Sequence, residues 1–287
     1  MKILLLIFAS YFTVATIGLK YFLSDLVFLK IPRASTHESA IHSVQYEGDE
    51  VLIREYISDT NGFCVVYFPG QHGGIPKYEK EVFQAIQAHG ISIYAISYPG
   101  YEGALGKSTY DSVMTTTKMA IEFIDDKTNC VITDSVFVGR SLGSAIAMQN
   151  AIEAQPKGLL LVSASPSLVP VVRAKMANNY LLKPATILPI EKILEFDTNM
   201  VDISEAINHI PIVIMQGEND TLTTYDNIQK FAKNHSNVEL IKIMNATHST
   251  VHVDAGQLYF DKLIQLLAGI ESNKQHQLTP ALTRFHN

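Results

Sequence analysis

From residue 39 onward the chain alternates short apolar runs with longer segments of helical period. Residues 63–68, 91–97, 135–138, 158–162, 212–215 and 238–243 are rich in β-formers and nearly continuous in hydrophobicity. That pattern predicts strands buried on both faces of a parallel sheet. Between them, residues 78–89, 110–125, 141–154, 225–234 and 251–268 repeat apolar positions every three or four residues and predict helices. Residues 41–46 and 50–56 predict an antiparallel pair ahead of the first crossover. Residues 166–210 alone break the alternation, where Pro166, Pro170, Pro184 and Pro189 interrupt weakly helical stretches in the manner of a small cap inserted over a sheet. The expected architecture is an α/β domain over residues 39–270, with a mostly parallel central sheet flanked by helices, a cap insert at about 166–210 and a frayed polar tail at 271–287.

The N-terminus has a different pattern. Residues 3–19 carry no charge and are bounded by Lys2 and Lys20. As a helix this run spans roughly 26 Å, slightly short of a hydrocarbon core of about 30 Å. Snorkelling of Lys20 would let Tyr21, Phe22 and Leu23 extend it. Residues 1–33 therefore predict a single-pass N-terminal membrane anchor, with Phe22, Leu23, Leu26, Val27 and Leu29, followed by Lys30 and Arg33, lying at the lipid interface before the break at 32–38. Two other readings stay open. The positive start at Lys2 suits a cleaved signal peptide, although Thr13-Val14-Ala15 is the nearest approach to a cleavage site. An N-terminal helix buried in a soluble protein is the third. Lys2 and the amino terminus balance Lys20, Lys30 and Arg33, so the positive-inside rule does not orient the segment.

With 287 residues, 47% hydrophobic and 17% charged, the chain is long enough for one large domain. Its net charge of -6 and lack of a basic stripe exclude a nucleic-acid partner. Cys64 and Cys130 sit in or beside apolar segments without metal-ligand or framework spacing, and read as two small core thiols.

Candidate chemistry lies at the strand ends, where parallel α/β sheets bind ligands. The run 135–138 leads through Gly139-Arg140-Ser141-Leu142-Gly143 into a helical segment. A strand feeding a helix through Gly-x-Ser-x-Gly makes a sharp turn that lifts the serine hydroxyl clear of the backbone and aims the next amide, that of Leu142, at a developing oxyanion. Asp220 follows the run 212–215 and His248 follows 238–243, giving the chain order Ser141, Asp220, His248 expected of such an elbow. The glycine-rich loop 69–74 sits where a second oxyanion donor is needed. His252, four residues past His248, is the rival base, and His72 lies beside the oxyanion loop. Asp197 is expected to fix the cap to the sheet.

These residues resemble the α/β-hydrolase superfamily, in particular the N-terminally anchored serine hydrolases grouped with serine aminopeptidase-like domains. The likeness rests on the elbow through Ser144, on Tyr98-Pro99-Gly100-Tyr101-Glu102-Gly103 with Gly106-Lys107-Ser108 after it, on Leu188-Pro189-Ile190 to Phe196-Asp197, and on Gly217-Glu218-Asn219-Asp220. The resemblance implies Ser141 as nucleophile, Asp220 as acid, His248 as base and the Gln71 and Leu142 amides as oxyanion hole, with no metal or cofactor required. One position departs: where the family usually has His-Gly, this chain has Pro69-Gly70.

Leu168, Val169, Val171, Val172, Leu181, Leu182, Ile187 and Leu188 would supply an apolar wall for an acyl chain, or equally pack the cap onto the sheet. The expected activity is a serine esterase, lipase-like or thioesterase-like, acting on a small-molecule or lipid acyl substrate at the membrane. A serine exopeptidase, with Glu102 receiving a free amino terminus, is the enzyme alternative, and a non-catalytic binding scaffold at the membrane is the alternative outside enzymes.

Overall fold

The computed structural model describes residues 2–28, 31, 40–58, 62–72, 74–165, 167–193 and 200–269. Leu29, Lys30, the break at 32–38, Gly73, Pro166, Phe196, Asp197 and the polar tail at 271–287 lie outside the described residues, as do the side chains of residues 20–26.

Among the described residues one eight-stranded sheet forms from β1 (Ala40–Tyr46), β2 (Asp49–Tyr56), β3 (Phe63–Phe68), β4 (Ile91–Ser97), β5 (Val136–Arg140), β6 (Gly158–Val162), β7 (Ile212–Gly217) and β8 (Val238–Ile243), in the order β1-β2-β4-β3-β5-β6-β7-β8. Only β2 runs against its neighbours; every other adjacent pair is parallel. The continuous apolar runs explain why the sheet is buried on both faces. Val66, Phe68, Phe137, Leu159, Leu161 and Ile214 enter one core, while the alternating Val65, Tyr67, Val136, Val138, Leu160 and Val213 enter the other.

The helices are α1 (Lys2–Val27), α2 (Ile75–Tyr78), α3 (Gln84–Ala88), α4 (Tyr110–Lys127), α5 (Leu142–Ala154), α6 (Leu168–Ala177), α7 (Ile190–Ile193), α8 (Met200–Ala206), α9 (Tyr225–Ala232), α10 (Val251–Asp254) and α11 (Gln257–Ala268). A wider turn over Glu79–Phe83 joins α2 to α3. The helix predicted over 251–268 is split at Gly256, whose φ of +53° takes the backbone out of the helical region. Pro170 does not break α6 because it falls in the first turn, where no amide has an intrahelical acceptor, and the Ser167 side chain caps that turn by accepting from the Val169 amide at 3.0 Å.

Two expectations change. The N-terminal segment is helical over Lys2–Val27, but among the described residues no helix is long and apolar enough to cross a membrane, so the expected spanning helix is not found. The helix turns one side into the domain: Ala15, Leu19 and Val27 are buried in the main core, and the Tyr11 hydroxyl donates to the Leu181 carbonyl at 2.5 Å. Its other side leaves Ile3, Leu6, Ile7, Phe8 and Val14 exposed.

Cys64 and Cys130 are not free thiols. They form a disulfide, with Cα atoms 5.7 Å apart and 66 residues between them along the chain. The reason is the sheet order: β3 lies beside β5, with Val65 opposite Val136, so Cys64 on β3 meets the segment that leads into β5.

Candidate active site

The parallel strands β3, β5, β6, β7 and β8 end on the same edge of the sheet, and each delivers a residue of the site just past its last residue: Gln71, Ser141, Ser163, Asp220 and His248. Ser141 itself is held at φ +51°, ψ −116°, a conformation that an L-residue adopts only when its surroundings enforce it. Here the enforcement is visible. The Ser141 amide donates to the Val162 carbonyl at 2.8 Å, and Ser144 closes the turn by donating its hydroxyl to the Gly139 carbonyl at 2.9 Å. A side chain on Gly143 would meet the Phe68 carbonyl oxygen at 2.0 Å, so only glycine lets α5 start against the end of β3.

The elbow aims the Ser141 hydroxyl at His248, with Oγ 2.9 Å from Nε2. On the far side of the imidazole, Nδ1 is 2.8 Å from Asp220 Oδ2. Asp220 is 3% exposed and densely solvated by protein: its Oδ1 accepts from the Leu222 and Thr223 amides, and its Oδ2 also accepts from the Thr223 hydroxyl and the Gln216 side-chain amide. Burial pushes its carboxyl up, but the hydrogen bond and charge of His248, with the Thr223 amide and hydroxyl, outweigh that and leave it below its usual value. An ionised Asp220 fixes the tautomer that carries its proton on Nδ1 and offers a basic Nε2 to Ser141.

Two of the residues expected near the oxyanion are also here. Leu142 is the first residue of α5, where the amide has no intrahelical acceptor. The loop after β3 runs against the elbow, since a Cβ on Gly70 would lie 3.4 Å from Ser141 Cβ. Tyr98 and Tyr101 hold that loop by donating to the carbonyls of Pro69 at 3.0 Å and Gln71 at 3.3 Å.

No protein-family model and no curated protein sequence matches this chain. Solved structures do. An alpha-beta hydrolase from Vibrio vulnificus superposes with a TM-score of 0.69 at 17% identity, over 86% of this chain and 93% of that one. The Pyrococcus furiosus esterase Pf2001 gives 0.64 at 16% identity, over 84% and 97%. Est1E from Butyrivibrio proteoclasticus, solved with ferulic acid bound, gives 0.60 at 14% identity, over 79% and 99%. The chain has the α/β-hydrolase fold.

On this hydrolase fold the elbow opens into a cleft of about 100 Å³. Leu168, Val171 and Val172 of α6 form part of its wall, although Leu168 and Val172 are buried in the core together with Val169, and Leu181 and Ile187 are exposed. Leu168 and Val172 of the insert thus serve both as lining and as packing. Val27, the last residue of α1, reaches the same cleft, as does His72. Burial and the positive charges of Lys175 and Arg140 hold the His72 imidazole below its usual pKa.

Two candidates lie elsewhere. His252 is buried and its Nε2 is 2.7 Å from Glu81 Oε2. Glu102 is 1% exposed, accepts from Arg54 at 3.2 Å and Ser97 at 3.0 Å, and also accepts from the Ile75 amide. It braces the loop after β4 against β2 and does not line the cleft, and no carboxylate occurs among the described residues that do.

Sequence reasoning missed Thr223, Arg140, Ser163 and Lys175. Thr223 had a local signal, an Asp-x-x-Thr spacing that lets the Asp220 carboxylate accept from the amide and hydroxyl three residues on. Arg140 and Ser163 act across the sheet, on the carbonyl of His248 at 3.3 Å and 3.0 Å, and Lys175 acts from α6, so spacing along the chain carries no trace of them.

Proposed function

We propose that this protein is a serine hydrolase that cleaves ester or thioester bonds of substrates with an apolar acyl portion. The carrying observation is the continuous hydrogen-bond path from Ser141 Oγ through His248 to Asp220, at 2.9 Å and 2.8 Å. In this reading Ser141 Oγ attacks the acyl carbon while its proton passes to His248 Nε2. The carbonyl oxygen, now an oxyanion, is met by the amides of Leu142 and Gln71, each such donor supporting the transition state by about 3 kcal/mol. The tetrahedral centre collapses, the bond to the alkoxide or thiolate breaks, and His248 returns its proton to that leaving group. Water then attacks the acyl-enzyme, giving its proton to His248, and collapse releases the carboxylic acid and restores the Ser141 hydroxyl. The apolar side chains of Leu168, Val171 and Val172 support an apolar acyl portion.

We further propose that the protein is attached to lipid through α1, whose uncharged run over residues 3–19 keeps Ile3, Leu6, Ile7 and Phe8 outside the domain. The disulfide between Cys64 and Cys130 supports an oxidising compartment for the catalytic domain.

The test of the hydrolase reading is labelling with a fluorophosphonate, which reacts with an activated serine. The unaltered protein is expected to label and Ser141→Ala to remain unlabelled; equal labelling of the two removes Ser141 from the chemistry.

A further inference from the structure

The cleft beside Ser141 is apolar along one helix face and cationic at its end. On α6, Leu168, Val171, Val172 and Lys175 follow the spacing that places residues on one side of a helix, and all four line the cleft. Seven residues of helix separate Leu168 from Lys175, a rise of roughly 10 Å. The stripe therefore runs apolar for just over one turn and presents an ammonium group about two turns from its start. The charge is directed inward: the Lys175 Nζ donates to the side-chain oxygen of Gln71, which belongs to the loop lying against the elbow. Lys77 and Arg140 line the same cleft.

Desolvation gives that arrangement its consequence. Lys175 is held below its usual pKa by burial, the mark of an ammonium that water solvates poorly. An anion arriving next to it regains Coulomb energy in a medium of reduced dielectric, where a charge-assisted hydrogen bond counts for more than at the surface. His72 reports the same field, because Lys175 and Arg140 both act against its protonation. A neutral imidazole there keeps one N–H to donate and one nitrogen to accept.

Resting on the serine-hydrolase reading, we propose that Lys175, with Lys77 at the same cleft, forms an anion subsite that receives a carboxylate or phosphate carried by the substrate. The preferred substrate is then amphipathic, with an apolar stretch along Leu168, Val171 and Val172 and a negative group at the end of that stretch. Gln71 links the subsite to the elbow, so that occupancy by an anion and the placement of the loop after β3 are coupled through one side chain.

Isothermal titration of the full chain with hexyl phosphate, hexanoate and hexan-1-ol tests this without requiring turnover. The two anions are expected to bind at least about tenfold more tightly than the alcohol, the usual worth of one charge-assisted hydrogen bond. Lys175→Met should remove that preference and Lys175→Arg should keep it. The relative strength of hexyl phosphate and hexanoate identifies which anion the subsite takes. Equal binding of all three compounds overturns the proposal, as does a preference that survives Lys175→Met. Fluorophosphonate labelling in parallel separates the two readings: an unlabelled Ser141 with the anion preference intact overturns the hydrolase and retains the subsite.

Discussion

Arg140 and His248, 108 positions apart in the chain, are joined by a hydrogen bond from the Arg140 Nη2 to the His248 carbonyl oxygen at 3.3 Å. The same guanidinium donates to the Tyr78 hydroxyl at 3.1 Å and lies over the Tyr78 ring, 5.6 Å from its centroid. The residue just before Ser141 therefore holds the loop that carries the imidazole. Misplacement of a reacting group by about 1 Å costs on the order of a hundredfold in rate. Arg140→Met is expected to lower kcat by about ten- to a hundredfold with little change in KM, and to slow fluorophosphonate labelling in step, at unchanged circular dichroism. Arg140→Lys should not restore the rate, since one ammonium cannot reproduce the planar fork between Tyr78 and the loop carbonyl. A kcat close to that of the unaltered protein in Arg140→Met would show that Ser163 holds the loop unaided.

His248 and His252 separate cleanly by their partners. Only His248 touches Ser141, while His252 is engaged with Glu81. His248→Ala should reduce turnover by roughly four orders of magnitude or more, matching Ser141→Ala because the groups act as a unit. His252→Ala should instead lower the melting temperature. The reverse ranking in ester-hydrolysis assays would assign the base to His252.

The disulfide closes a long loop between β3 and the entry to β5. Loop closure over a separation of 66 residues removes unfolded-state entropy worth on the order of 4 kcal/mol in the chain model. The Cys64→Ser, Cys130→Ser double variant should melt several degrees lower, and dithiothreitol should lower the melting temperature of the unaltered protein but not of the variant. Identical melting curves with and without reductant would dismiss the stabilising role.

Asp220 links stability to acid. Its folded pKa lies below the ordinary 3.8, so its contribution is present above the unfolded value and is lost as pH falls through the folded value. Thermal melts of the unaltered protein should lose stability progressively below about pH 4, and part of that slope should vanish in Asp220→Asn. Superimposable pH profiles for the two proteins would contradict the depressed pKa.

Lipid attachment through α1 predicts that the full chain floats with phosphatidylcholine vesicles in a density gradient. Ile7→Glu with Phe8→Glu places two charges on exposed positions and should abolish flotation while preserving fluorophosphonate labelling. Undiminished flotation of this variant would locate the contact elsewhere.

The sequence by itself determined the alternation of strands and helices, because a run such as Phe63–Phe68 has no polar face to give to water and must be covered on both sides. It also determined the sharp turn at Ser141, since Gly143 is the local requirement for bringing α5 against β3. Strand ends told where Asp220 and His248 lie along the chain. Only the tertiary structure decided distances: that His248 rather than His252 reaches Ser141, and that Glu102 turns to Arg54 instead of the cleft. The pairing of Cys64 with Cys130 belongs to the same class, as it follows from β3 lying next to β5 across an intervening β4 in sequence. So does the inward charge of Lys175, which depends on how α6 is laid over the strand ends. Local sequence governs periodicity and backbone conformation over a few residues, whereas contacts between residues tens of positions apart arise from sheet order and from the direction in which each element is packed.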